Sequence, residues 1–199
     1  MILSKNKKFI NLNPPKTGSG YRERHLERFA DVIVSTHREL KCRHWTVEDT
    51  EKYLINNGLN PDDYFWFTFV RNPWDRVVSW YNMRINHAIR DGKQTKKALL
   101  TEDKFSEFVG RIARDNKFKN YTLRNGIELD YIGMLESIED DLDYLSDRLN
   151  LNINLKTHSS HLSSYHADIN ELWSNQTIDL VAETECNVIN QFNYKFKGN

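Results

Sequence analysis

Seven consecutive residues, Tyr64-Phe65-Trp66-Phe67-Thr68-Phe69-Val70, carry five aromatic rings and no charge. At helical periodicity such a run would put rings on every side, whereas its length suits a strand covered on both faces. A strand of that kind needs helices above and below its sheet, so the run predicts a buried central strand of an α/β domain. Arg71-Asn72-Pro73 closes it. Asn72 suits an N-cap and Pro73 the first helical position of the helix that follows. In that helix Val77, Val78, Tyr81, Ile85 and Ile89 share one face, and Arg76, Ser79 and Met83 a neighbouring one. Asp91-Gly92 is its expected stop.

A second stretch, Phe9 to Gly20, reads as strand, tight loop, helix. A short apolar run leads into Pro14-Pro15, then Lys16-Thr17-Gly18-Ser19-Gly20, then the helix-compatible Tyr21 to Phe29. Glycines let backbone N–H groups converge on one point, and a helix N-terminus adds roughly half a positive charge there. With the ammonium of Lys16, this is an expected receptor for phosphate or a similar oxyanion. It is not a Walker loop, because the lysine precedes both glycines.

Other segments alternate strand and helix. Asp31 to Ser35 is a short β-branched run, and Thr46-Val47-Glu48-Asp49 resembles a capping box opening a helix that ends near Asn57-Gly58. Residues 93–103 are lysine-rich and polar, an expected mobile loop or lid. Lys104 to Asn116 is helical with Phe105, Phe108, Val109 and Ile112 inward. Leu129 to Met134 is a fourth strand, Ser137 to Leu149 an amphipathic helix, Ile153 to Ser164 irregular, and Ile169 to Phe192 one or two helices. The pattern predicts one domain over residues 1–199: three layers, with a central, mainly parallel sheet of about four to five strands flanked by helices.

Twenty-eight basic residues balance 28 acidic ones, so no global field favours nucleic acid, and an anion site has to be local. Two cysteines, Cys42 and Cys186, make neither a disulfide framework nor a metal knuckle and read as reduced thiols. No apolar run approaches a transmembrane length and no signal peptide is evident, so a cytoplasmic protein is expected.

In a parallel sheet ligands sit at the carboxyl ends of strands. Lys16 follows the first strand and Arg71 the aromatic one, with Ser79 eight residues further on. Two anion receptors would suit a ligand with phosphates at two ends. Here the chain resembles a known family. Pro15-Lys16-Thr17-Gly18-Ser19 resembles the 5′-phosphosulfate loop of sulfotransferases. Residues 69–81, Phe-Val-Arg-Asn-Pro-Trp-Asp-Arg-Val-Val-Ser-Trp-Tyr, are similar to their 3′-phosphate motif. Ile132 to Ser137 resembles the late strand-to-helix segment of carbohydrate sulfotransferases, and Asn190 to Phe196 their terminal motif.

The resemblance implies a P-loop NTPase-like sulfotransferase fold and transfer of a sulfuryl group from 3′-phosphoadenosine 5′-phosphosulfate (PAPS) to a hydroxyl of a small-molecule or oligosaccharide acceptor. The product would be 3′,5′-bisphosphoadenosine (PAP), with no metal required. Carried over, Pro15, Lys16, Thr17, Gly18, Ser19 and Gly20 hold the 5′-phosphosulfate and Arg71 and Ser79 the 3′-phosphate. Ser163, Ser164 and Tyr165 loosely resemble the residues that touch the cofactor's 3′ end in that family. The acceptor hydroxyl needs a base. His37 is the first candidate, Glu39 the competing one and His44 the third; the His-Gly-His pattern common in such enzymes is absent from Ser35-Thr36-His37-Arg38-Glu39.

Weaker signals read as structure. His158, His161 and His166 fit no helical metal pair. Trp66 is expected in the core, and core is also the expectation for Trp74 and Trp80. Two other functions fit parts of the pattern: a small nucleotide or metabolite kinase, and a non-catalytic phosphonucleotide-binding module. A kinase should carry a Mg²⁺-binding carboxylate at a strand end, where Val70-Arg71 offers arginine. A binding module could dispense with Lys16 and His37, and both are present.

Overall fold

The computed structural model describes residues 1–34, 44–92, 95–115, 121–155 and 169–197. In chain order the elements are β1 (Ile2–Ser4), β2 (Phe9–Asn11), α1 (Ser19–Leu26), β3 (Val32–Ile33), α2 (Val47–Asn56), β4 (Phe65–Val70), α3 (Pro73–Arg90), α4 (Lys96–Leu99), α5 (Glu102–Asp115), β5 (Leu123–Arg124), β6 (Ile127–Glu128), β7 (Tyr131–Met134), α6 (Ile138–Arg148), α7 (Asn175–Thr184) and α8 (Cys186–Phe192). They pack as two compact units. The first comprises Met1–Val70 with Lys117–His161, the second Arg71–Asn116 with Leu162–Asn199.

The first unit is built on a five-stranded sheet in the order β3-β1-β2-β4-β7. β2 pairs with β4 and β4 with β7 in parallel, whereas β1 is antiparallel to both β2 and β3. Four strands therefore run one way and β1 alone opposes them. The mainly parallel sheet expected from the sequence holds with this one reversal. The expected second strand shrinks to Val32–Ile33 at the sheet edge.

Side chains alternate across the sheet as the period-two rule requires. Leu3, Ile10, Leu12 and Trp66 enter one cluster with Val47 and Leu54 of α2. Ile2, Phe9, Phe67 and Phe69 enter another with Tyr21 and Leu26 of α1 and Leu142 and Leu145 of α6. Helices thus cover both faces, giving three layers within this unit. The aromatic run is the inner strand β4, and Phe67 and Phe69 are fully buried. Each contributes roughly 1.5–3 kcal/mol by leaving water. Phe69 lies opposite Gly133 of β7, where a Cβ would stand 2.7 Å from the phenyl ring.

In α2 the expected capping box forms: the Thr46 hydroxyl accepts from the Asp49 amide, and the Asp49 carboxylate accepts from the Thr46 amide. Asn125 and Gly126, both at positive φ, turn the small β5–β6 hairpin.

The second unit is helical. Trp74, Val77, Tyr81 and Ile85 of α3 join Phe105, Phe108 and Val109 of α5 and Val181 of α7 in one cluster. Asn72 caps α3 by accepting from the amides of Trp74 and Asp75, with Pro73 first in the helix. Ile89 is 42% exposed, so the apolar stripe ends a turn earlier than expected. Within the segment expected as a loop at 93–103, residues 96–99 are the helical turn α4. Among the described residues no helix is long and apolar enough to cross a membrane.

Candidate functional site

The anion loop of the first unit starts where β2 ends. The Leu12 amide donates to the Phe67 carbonyl (2.9 Å), carrying the chain along β4 for one more residue. Pro14 and Pro15 follow with φ set by their rings. Lys16 then takes a left-handed φ of 65°, and Gly18 one of 77°. Gly18 is the N-cap of α1. The left-handed backbone favours glycine there, and a Cβ would lie 2.6 Å from Leu135 Cδ1, so the end of that leucine would have to move. Thr17 is buried, and its hydroxyl donates to the Pro14 carbonyl (2.9 Å), closing the turn.

The entry to α1 suits an anion. Its N-cap residue, Gly18, has no side chain with which to cap it, and no acidic residue stands in its first turn. The first amides of a helix have no acceptor within it, so those of Ser19 and Gly20 are the ones that a bound oxyanion would meet, at the positive end of the peptide dipoles. Lys16, Ser19 and Pro15 are half-buried and Gly20 is exposed.

Behind this turn sits Arg22, which the sequence reading passed over. Its side chain is fully buried. Nη1 donates to the Thr17 carbonyl. Nη2 donates to Asn13 Oδ1 (3.0 Å) and Nε to Asn11 Oδ1 (3.3 Å). The guanidinium lies 4.6 Å from the centre of the Phe69 ring. Burial pulls its pKa down to about 9, with Glu23 acting the other way, so it remains a cation at neutral pH. The missed signal was a cation in the first turns of a helix, where the dipole disfavours it.

His44 also joins this loop. Its ring Nδ1 is 2.5 Å from the Asn13 carbonyl. A carbonyl only accepts, so Nδ1 carries the proton and Nε2 is the basic nitrogen. The Tyr121 hydroxyl donates to the His44 carbonyl (3.0 Å) and anchors its backbone.

In the second unit Arg71 and Ser79, both half-buried, stand just before and inside the first half of α3. The start of this helix is braced from several sides. Asn72 Nδ2 donates to the Lys195 carbonyl (2.8 Å), and Trp74 Nε1 to the Ile178 carbonyl (3.2 Å). Trp74 packs edge-on against Phe196, with centroids 5.9 Å apart. The segment matched to the family's terminal motif thus touches the segment matched to its 3′-phosphate motif. Trp66 and Trp74 are core residues, as expected.

Lys16, Thr17, Gly18, Ser19 and Gly20 therefore come together in one turn, and Arg71 with Ser79 at one helix start. His37, Glu39 and Ser163, together with Cys42, His158, His161 and His166, lie outside the described residues.

A family model described as the sulfotransferase family matches residues 1–192. Curated proteins and solved structures show no significant match. A match over nearly the whole chain, with the lysine turn and the arginine–serine helix at the positions described, places this chain in the sulfotransferase family.

Proposed function

We propose that the protein transfers the sulfuryl group of PAPS to a carbohydrate hydroxyl. The observation that carries the reading is the turn at Lys16–Gly20, with two left-handed residues, a glycine at the N-cap of the helix and no acidic residue in the first helical turn. Such a turn receives an oxyanion, and family membership names sulfuryl transfer as the chemistry.

In this reading the acceptor oxygen attacks sulfur while the bond from sulfur to the bridging phosphate oxygen breaks, leaving PAP. The protein's tasks are alignment and charge neutralisation, as in phosphoryl transfer. The Lys16 ammonium takes up the charge that grows on the bridging oxygen. The amides of Thr17 to Gly20 hold the 5′ group. The guanidinium of Arg71 offers a two-pronged contact to the 3′-phosphate, with the Ser79 hydroxyl and the serine at position 163 adding to that end. His37, or Glu39 in its place, takes the proton from the acceptor. His44 is a further candidate because the Asn13 carbonyl fixes its tautomer. The kinase reading is disfavoured by Arg71 standing where β4 should hand a carboxylate to a metal.

A thermal-shift comparison of PAP with ATP, ADP and AMP tests the proposal. PAP should raise the melting temperature by mass action and the other three far less. Equal shifts for PAP and AMP would remove the 3′-phosphate from the recognition, and with it the donor.

A further inference from the structure

We propose that Arg22 is a positioning residue of the anion loop: from behind the turn it fixes the peptide groups of residues 12–17 and supplies part of the positive potential that a bound phosphate or sulfate oxygen meets. The inference rests on the reading of Lys16–Gly20 as the site of the 5′-phosphosulfate.

A turn can aim several N–H groups at one anion only if neighbouring carbonyls point away from it. Buried carbonyls then need donors of their own. Arg22 provides them. Nη1 serves Thr17 O, and Nη2 lies 3.4 Å from Leu12 O. The same fork reaches the side chains of Asn11 and Asn13, so a single planar group joins the end of β2 to the residue before Gly18. Lysine, with one nitrogen, could not span these acceptors.

The charge is the second part. Buried arginines ordinarily sit against a carboxylate. Among the described residues, every acceptor that Arg22 reaches is uncharged. Glu23 communicates with it through an amide, accepting from Asn13 Nδ2 at 3.3 Å. A cation placed near the start of a helix works against the peptide dipole. An anion seated on the turn reverses that balance, because it is attracted by the guanidinium and the helix together.

The experiment compares the unaltered chain with Asn11→Asp and Arg22→Lys, using calorimetry and thermal shift with PAP, inorganic pyrophosphate and adenosine 3′-monophosphate. Asn11→Asp keeps the shape and the acceptor for Nε–H but places a negative charge on the guanidinium. It gives up the donation from Asn11 Nδ2 to the Leu12 carbonyl (3.3 Å) and gains an ion pair with the guanidinium, and the folded variant should bind PAP and pyrophosphate about tenfold more weakly, the scale of a lost charge-assisted contact. Arg22→Lys keeps the charge and loses the fork, and should weaken the same two ligands. Adenosine 3′-monophosphate, which lacks the 5′ group, should bind all three proteins alike.

Unchanged affinity for pyrophosphate and PAP in Asn11→Asp would overturn the proposal, and so would an equal loss for adenosine 3′-monophosphate. If Arg22→Lys does not fold, Asn11→Asp decides alone. If the unaltered protein binds pyrophosphate but not PAP, the nucleotide reading falls and the pyrophosphate comparison still decides the role of Arg22. Binding of neither would sink both.

Discussion

Arg76 and Glu185 form an ion pair at 2.5 Å in which each side chain is only 5% exposed. Arg76 stands in the first turn of α3, and Glu185 is the residue at which α7 ends and α8 begins. The pair therefore pins the helix that carries Ser79 to the two C-terminal helices of its unit. Glu185→Ala leaves a buried guanidinium without its carboxylate and should cost about 3–5 kcal/mol. Denaturant unfolding measures it; a loss under about 1 kcal/mol would class the pair with surface bridges. Replacing both partners by apolar residues of similar volume should cost far less than either single change.

Lys16→Ala should leave the fold intact and lower turnover by ~10²–10³, the usual effect of removing one donor from a site of developing charge. Steady-state kinetics with PAPS would show it chiefly in kcat. Near-normal turnover would take Lys16 out of the chemistry.

Gly18→Ala tests the turn itself. The added methyl meets Leu135 and the backbone is held at a φ of 77°. Strain of about 1–3 kcal/mol is expected, together with loss of PAP binding. A variant as stable as the parent would mean that the turn relaxes easily.

Arg71→Ala should weaken PAP by ~1.5–3 kcal/mol, the scale of a hydrogen bond to a charged group, and leave adenosine 5′-phosphosulfate, which has no 3′-phosphate, almost unaffected. Calorimetry with both ligands separates the two ends of the donor.

Removing the base should lower the maximal rate by roughly 10²–10⁴ with little change in KM. His37→Ala is expected to do this. If Glu39→Gln or His44→Ala does so instead, the proton goes there, and the acidic limb of the pH–rate profile should disappear in the same variant.

Alkaline unfolding gives a further test. The Tyr131 hydroxyl donates to Asp141 (2.5 Å), and burial, then this bond, raises its pKa above the ordinary value of 10.0. The folded state holds the proton more tightly than the unfolded state. This contribution is therefore complete below pH 10 and is lost as pH rises past it. Tyr131→Phe should flatten that part of the stability curve relative to the parent. Identical curves would mean that the phenol titrates alike in both states.

Much of this was legible because the signals are local. The aromatic run became β4, Asn72-Pro73 capped α3, and Pro15-Lys16-Thr17-Gly18 made its turn, since each is dictated by neighbours in sequence. β1 was missed because Met1-Ile2-Leu3 is too short to show a period. Its strand identity comes from pairing with Phe9–Asn11 and Val32–Ile33, which is tertiary information. Asn125-Gly126 is a hairpin signal, but the strands it joins are only two residues long, too short for alternation to show around it. Arg22 carries only a weak sequence signal, a cation early in a helix, because what gives it a role is burial beneath Thr17 and against Phe69, which is tertiary information. His44 likewise gained weight only when the fold brought its ring to Asn13.

The facing of Phe69 and Gly133 across two parallel strands ties together positions far apart in the chain. A methyl at Gly133 demands a smaller side chain at position 69, and a smaller side chain there first leaves a cavity. Related chains should vary these two sites in concert or not at all, so the middle of the sheet drifts more slowly than its rims while substrate preference is free to diverge around it.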